Sequence, residues 1–371
     1  MLNFTKYEKK HEDAVKKFNQ RLSEKNNKNK FSENCNSQSF PEKEGVNIFQ
    51  NYFLAIEEDK VRGGYILKNQ LFKFENQIKP IMDYQLPLSE GIIDKNYNFL
   101  AIMMVIDAIK RNKNLFALGM NGVNGDLPRI LKKLGWNIMP VPFLFKIRNA
   151  TNFLTNIRYL HKKRIVKNIL TFFGKINFFS PFIILCKFIE FLRFRNIDKE
   201  LILKIEDKFS EWADKIWENS HSKYKFIALR TQKELNIMYP EKDKRLIRLK
   251  VNFKEKFIGW IVVIHNKHKN HKQFGDMNLG SIVDCMSLPG YENIVIRAGD
   301  NYLTRNNVDL IISNQYHFEW VRCLKKNFFL QGPTNMALAT SKNLTNEILK
   351  VDKNFKNIHL NRGDGDGPAN L

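Results

Sequence analysis

The chain has 371 residues, 43% of them hydrophobic, with 61 Lys and Arg against 38 Asp and Glu and a formal net charge of +23. That length accommodates two domains with their own cores, and the apolar content excludes wholesale disorder. The positive charge favours anionic partners such as nucleotide cofactors, nucleic acid or acidic lipid surfaces, although a chain so rich in Lys, Asn, Ile and Phe also fits an AT-rich genome.

Cys35, Cys186, Cys285 and Cys323 are far apart and form no CxxC pair, so neither a disulfide framework nor a metal site is indicated. The first residues, Met1 to Lys10, lack an apolar segment of signal-peptide type, which predicts a cytoplasmic, reduced protein.

In chain order, His11 to Leu22 has apolar residues at helical period, and Ser23 to Glu44 reads as a polar loop. Tyr52 to Glu57, Val61 to Phe74 and Met82 to Leu88 make an antiparallel meander, with Arg62-Gly-Gly64 inside it. Ser89-Glu-Gly91 then leads into a helix from Tyr97 to Ile109 that is apolar most of the way round and predicted to be buried. Leu115 to Met120 is a short strand, Leu127 to Leu134 an amphipathic helix closed by Gly135 as a left-handed C-cap, and Ile138 to Ile147 a last strand.

Residues 152–195 mix Phe, Ile and Leu with basic side chains. The longest apolar run, Phe178 to Cys186, is far short of the roughly 20 residues that span a bilayer. The segment reads as an interdomain packing element or as a peripheral contact with the inner membrane face. Beyond it, Ile205 to Ser220 and His221 to Tyr239 read as helices. Arg245 to Phe253, Phe257 to Ile264 and Ser281 to Met286 read as strands. Asn293 to Leu303 is a helix, Val308 to Asn314 a strand, His317 to Lys326 a helix and Phe328 to Thr340 a closing strand. The histidines of His265 to His271 lack carboxylate or thiolate company for a metal and sit where a loop is due.

Two stretches therefore share one element order at a separation of roughly two hundred residues, the mark of a domain-sized repeat. The boundaries are 1–150 for the first domain, 151–204 for a connector, 205–345 for the second domain and 346–371 for a terminal segment. The helix–Gly–aromatic–strand arrangement at Leu127 to Ile147, after a strand ending in Gly-Met-Asn-Gly, resembles the C-terminal half of the GNAT acyltransferase fold. The fold class expected is α/β (α+β): two tandem GNAT-like domains, each a mixed, mostly antiparallel sheet flanked by helices. Asn361-Arg-Gly-Asp-Gly-Asp-Gly-Pro368, Val61-Arg-Gly-Gly64, Leu86 to Gly91 and Leu118-Gly-Met120 resemble segments of tandem GNAT-like proteins of bacterial surface-polysaccharide loci.

The resemblance implies an acyltransferase using acyl-CoA, acetyl-CoA first, with a saccharide or other small acceptor. The donor pyrophosphate would lie on backbone amides at a helix N-terminus, which points to Ser89, Gly91, Ile92, Lys95 and Asn121. Glu90, at the end of its strand, is the first candidate for general base. Asp83 and Asp284, carboxylates inside apolar segments, are the next, because a buried carboxylate needs a partner or a purpose. Arg362, Asp364 and Asp366 would hold a polar acceptor in the interdomain cleft.

Both repeats depart from the family's Arg/Gln-x-x-Gly-x-Gly/Ala loop; Ser287-Leu-Pro-Gly-Tyr-Glu292 offers one glycine, and Pro289 removes an amide donor. Two alternatives follow: a FemABX-like transferase taking aminoacyl-tRNA, and a non-catalytic tandem scaffold that binds a partner or a membrane surface.

Overall fold

The computed structural model describes residues 2–25, 27–36, 39–120, 122–161 and 163–365. The first repeat comprises β1 (Asn3–Lys6), α1 (Glu12–Glu24), β2 (Phe49–Glu57), β3 (Lys60–Phe74), β4 (Gln77–Ser89), α2 (Leu100–Arg111), β5 (Leu115–Gly119), α3 (Asp126–Lys133) and β6 (Asn137–Ile147). The connector holds α4 (Ala150–Asn156), α5 (Arg164–Lys175) and α6 (Ser180–Glu200). The second repeat comprises β7 (Leu201–Glu206), α7 (Glu211–Ser220), β8 (Phe226–Ala228), α8 (Gln232–Met238), β9 (Ile247–Phe253), β10 (Lys256–Lys267), β11 (Asn278–Ser287), α9 (Glu292–Arg305), β12 (Leu310–Asn314), α10 (Phe318–Lys326) and β13 (Leu330–Thr340). Then come α11 (Lys342–Val351) and β14 (Ile358–His359).

The fourteen strands among the described residues belong to one mixed sheet, ordered β1-β2-β3-β4-β5-β13-β6-β12-β11-β10-β9-β7, with β8 and β14 off this path. The order is a near-palindrome about the β13–β6 pair, so the repeats face each other across a pseudo-twofold axis. Their equivalence reaches single residues. Gly63 of β3 is opposite Ser89, and Gly259 of β10 is opposite Ser287. A Cβ at either glycine would meet a backbone carbonyl of the neighbouring strand, Leu88 O at 2.7 Å or Met286 O at 2.4 Å. The same close approach is built twice.

At the centre the repeats exchange strands. The closing strand of the second repeat, β13, pairs with β5 of the first, as in Ala339 opposite Ala117. Reciprocally, β6 pairs with β12, as in Ile312 opposite Phe145. Neither 1–150 nor 205–345 completes its own sheet, because a central strand without its neighbour exposes a row of unpaired amides and carbonyls. One face of the sheet carries Phe53, Tyr65, Met104 and Trp136 with α2 and α3 and, further along, Leu249, Ile261, Val295 and Trp320 with α9 and α10; the other carries Phe72, Phe116, Leu338 and Leu344 with α11.

Several local expectations are corrected. α2 buries Leu100, Met104, Val105 and Ala108 but leaves Met103 and Ile106 exposed, as is Phe99 at its N-cap, so it covers the sheet with one face. His221 to Tyr239 is not one helix: Phe226-Ile-Ala is drawn out as β8 between β3 and β14, with the Phe226 ring stacked 4.6 Å from Phe72. Leu201 to Glu206 is a strand, because β9 offers it a free edge; the helix expected from Ile205 begins at Glu211. Gly135 does adopt a positive φ of 81° at the end of α3.

Candidate functional site

Parallel strands β4 and β5 touch through two pairs only, Met82 with Leu115 and Asp83 with Phe116, and then diverge. Strands β11 and β12 do the same after Ile282 and Ser313. Each repeat therefore opens a wedge beyond the last shared pair. A wedge in a sheet leaves backbone groups that need partners, and in the second repeat the segment after α11 meets one of them, with the Tyr316 amide donating to Leu360 O.

In the second repeat, Gln315 bridges to Asn361, while β14 lies beside β8. Asn361 Nδ2 donates to Asp284 Oδ1 at 2.5 Å, and the Tyr239 hydroxyl donates to Asp284 Oδ2 at 2.7 Å. Arg230 lies between two carboxylates, with Nε 2.9 Å from Asp284 and Nη2 2.7 and 2.8 Å from the two oxygens of Asp364. All three side chains are shielded from solvent. Burial raises the Asp284 pKa against the opposing pull of Arg230, and the two carboxylates raise that of the guanidinium against the cost of burial.

The Arg-Gly-Asp sequence is shaped for this place. Asn361 and Asp364 cap each other's backbone, and a Cβ at Gly363 would lie 1.9 Å from the Tyr239 hydroxyl. Only glycine fits there.

The segment continues into the first wedge. Lys68 Nζ donates to the carbonyls of Asp364 and Gly365 at 2.6 and 2.5 Å. Gln85 Nε2 donates to Gly365 O at 3.1 Å and to Asp83 Oδ2 at 2.7 Å, while its own oxygen accepts from Gln50 at 2.8 Å. Lys68 and Asp83 are cross-strand partners and so project from the same face. The result is one buried polar seam, running from Gln50 through Gln85, Asp83 and Lys68 to Asp364, Arg230 and Asp284.

Of the expected site residues, Asp83, Asp284 and Asp364 join this seam, and Arg362 lies on the same turn as Asp364. Glu90 does not join it. Its Oε1 takes Arg21 Nε at 2.6 Å and its Oε2 takes Arg62 Nη1 at 3.0 Å, so both oxygens are committed. A carboxylate held between two guanidiniums anchors the end of β4. Asp284 is likewise engaged, its oxygens taken by Arg230, Tyr239 and Asn361.

The expected cofactor cradle is also otherwise engaged. Ser89 Oγ accepts from the Gly91 amide at 3.0 Å. The amides of Ile93 and Asp94 go to Glu90 O, and those of Asn96 and Tyr97 go to Asp94. Gly91 is small for packing, because a Cβ would come within 2.4 Å of Tyr97 O. Ile92 and Lys95 point to solvent. The turn as folded does not fit a pyrophosphate on its amides. Asn121 and Asp366 lie outside the described residues.

Sequence reasoning missed Arg230, Lys68, Gln50, Gln85 and Tyr239. The available signal was a charge inside an apolar run, in Phe226-Ile-Ala-Leu-Arg230 and Tyr65-Ile-Leu-Lys68.

No protein-family model matches the sequence, and no curated protein is significantly similar to it. Solved structures are. The chain superposes on a GCN5-related N-acetyltransferase from Anabaena variabilis with a TM-score of 0.53 at 10% identity, over 91% of this chain and 72% of that one. A probable N-acyltransferase from Enterococcus faecalis, described as a conserved protein of unknown function, gives 0.52 at 8% identity over 95% and 75%. These likenesses, with the duplicated splayed sheet, establish a tandem GNAT-like fold.

Proposed function

We propose that this protein is a cytoplasmic acyltransferase that moves an acyl group from acyl-CoA, acetyl-CoA in the first instance, to an amino or hydroxyl group of a sugar or surface-polymer precursor. The observation that carries this reading is the wedge between β4 and β5, with Asp83 at its apex, in a fold shared with solved N-acyltransferases. A thioester is already activated, so the protein has to align the acceptor, exclude water and take up a proton. In this reading Asp83 takes up the proton, and Lys68, Gln85 and the Gly365 carbonyl supply polar contacts beside it.

One observation favours a second reading. The closed turn after β4 and the net charge of +23 suit an aminoacyl-tRNA donor held by its phosphates better than a coenzyme on loop amides.

Unfolding of the purified protein with acyl-CoA thioesters and with aminoacyl-tRNA separates the two. A ligand at a hundred times its dissociation constant adds about 2.7 kcal/mol. Stabilisation by acyl-CoA, followed by thiol release on addition of amino sugars, supports the first reading. Salt-sensitive retention of tRNA without an acyl-CoA response supports the second, and silence toward both overturns acyl transfer.

A further inference from the structure

The outer surface of the connector is unsuited to water. α5 and α6 meet at a 65° bend, and around this elbow Phe172, Ile176, Phe178, Phe182, Leu185 and Phe188 are each more than half exposed. Contiguous apolar surface of this kind marks an interaction site. The helices cannot roll to hide it. α6 is bolted by Glu190, which takes Lys146 at 2.7 Å and Arg148 at 2.8 Å, and by Asp198, which takes Arg297 at 2.7 Å. α5 is held at Gly174, where a Cβ would come within 2.8 Å of Thr155 on α4.

Charge selects the occupant. The sequence has no Asp or Glu between Asp126 and Glu190. Exposed cations flank the elbow: Lys163, Arg164 and Lys167 at the start of α5, with Arg193 and Arg195 toward the end of α6. A second copy of the chain would set these cations against themselves, which is unfavourable. An anionic bilayer offers an apolar interior and negative phosphates in the same order. No single described helix is long and apolar enough to cross a membrane. Beneath the elbow, a cavity of about 530 Å3, walled by Phe153, Phe179, Phe182, Ile183 and Phe328, carries the apolar surface inward.

We propose that the α5–α6 elbow is a monotopic anchor for an anionic phospholipid surface, with its aromatic side chains among the acyl chains and the basic helix ends at the phosphates. The anchor is independent of the acyl-transfer reading, since it uses neither wedge nor seam.

Flotation of the full-length protein with phosphatidylglycerol-containing vesicles and with pure phosphatidylcholine vesicles tests it. Binding is expected to the first, weakening as salt rises. Phe172→Asp with Phe182→Asp abolishes it while circular dichroism and thermal unfolding stay unchanged. Lys163→Ser, Arg164→Ser and Lys167→Ser together lower affinity roughly a hundredfold, at about fivefold per charge. Equal retention by both vesicle types, or by neither, overturns the proposal. So does a dimer, seen by light scattering, that the aspartate pair dissociates.

Discussion

Arg230 and Asp364 are 134 residues apart in sequence and form a two-pronged ion pair, at 2.7 and 2.8 Å, entirely out of water. Asp284 completes the cluster from β11. The pair ties the segment after β14 to the second repeat, while the backbone carbonyls of the same segment are held by Lys68 of the first.

Breaking that pair leaves a buried charge without its partner. Arg230→Ala is expected to cost about 3–5 kcal/mol, the range for truncating one member of a buried ion pair. Asp364→Asn keeps shape and some hydrogen bonding and should cost less. Urea unfolding of both variants checks the order, and a loss below about 1 kcal/mol for Arg230→Ala contradicts a structural role for the cluster.

Glu90 and Asp83 separate in an activity assay. Glu90→Gln weakens the Arg21 and Arg62 contacts and lowers stability, with turnover falling well short of the roughly 10²–10⁴-fold loss expected for a missing general base. Asp83→Asn should show that loss at nearly unchanged donor affinity. The reverse pattern would restore Glu90 as the base.

At Gly363 even one methyl group is too many. Gly363→Ala sets a Cβ against the Tyr239 hydroxyl and is expected to cost about 1–3 kcal/mol as overpacking. Combining it with Tyr239→Phe, which removes the obstructing oxygen, should recover part of the loss; additive penalties in thermal unfolding would show that the contact is not the cause.

His317 makes stability depend on pH. Burial, with Lys223 nearby, pushes its pKa down to about 3, against about 6.5 for an unfolded histidine. The unfolded chain thus binds a proton below pH 6.5 that the folded chain refuses. The stabilisation is complete above about 6.5 and is lost progressively as pH falls toward 3, at up to about 1.4 kcal/mol per pH unit. His317→Asn retains a good N-cap for α10 without titrating. Its stability should fall less steeply than wild type between those limits, and parallel curves would assign the slope elsewhere.

The strand exchange forbids separable halves. Residues 1–150 expressed alone lack β13, the partner of β5, and are expected to be unfolded or aggregated by circular dichroism and light scattering. A cooperatively folding fragment would mean that β6 can close its own repeat.

The repeat itself was legible in the sequence, because hydrophobic period and turn chemistry are local. Most strands and helices fall where alternation and helical spacing put them, and Gly135 declared its left-handed cap. Asp83 and Asp284 announced themselves as carboxylates in apolar strands, although the partners that each one takes did not follow. Glu90 looked available because Arg21 and Arg62 are distant in sequence. The exchange of β6 and β13 was equally hidden: both strands read as closing strands, and pattern does not say which sheet edge a strand closes. Composition and period belong to neighbours along the chain and could be read directly. Partner choice at the wedge and burial of the seam depend on contacts hundreds of residues apart, where many pairings satisfy the same pattern and only packing in three dimensions selects one.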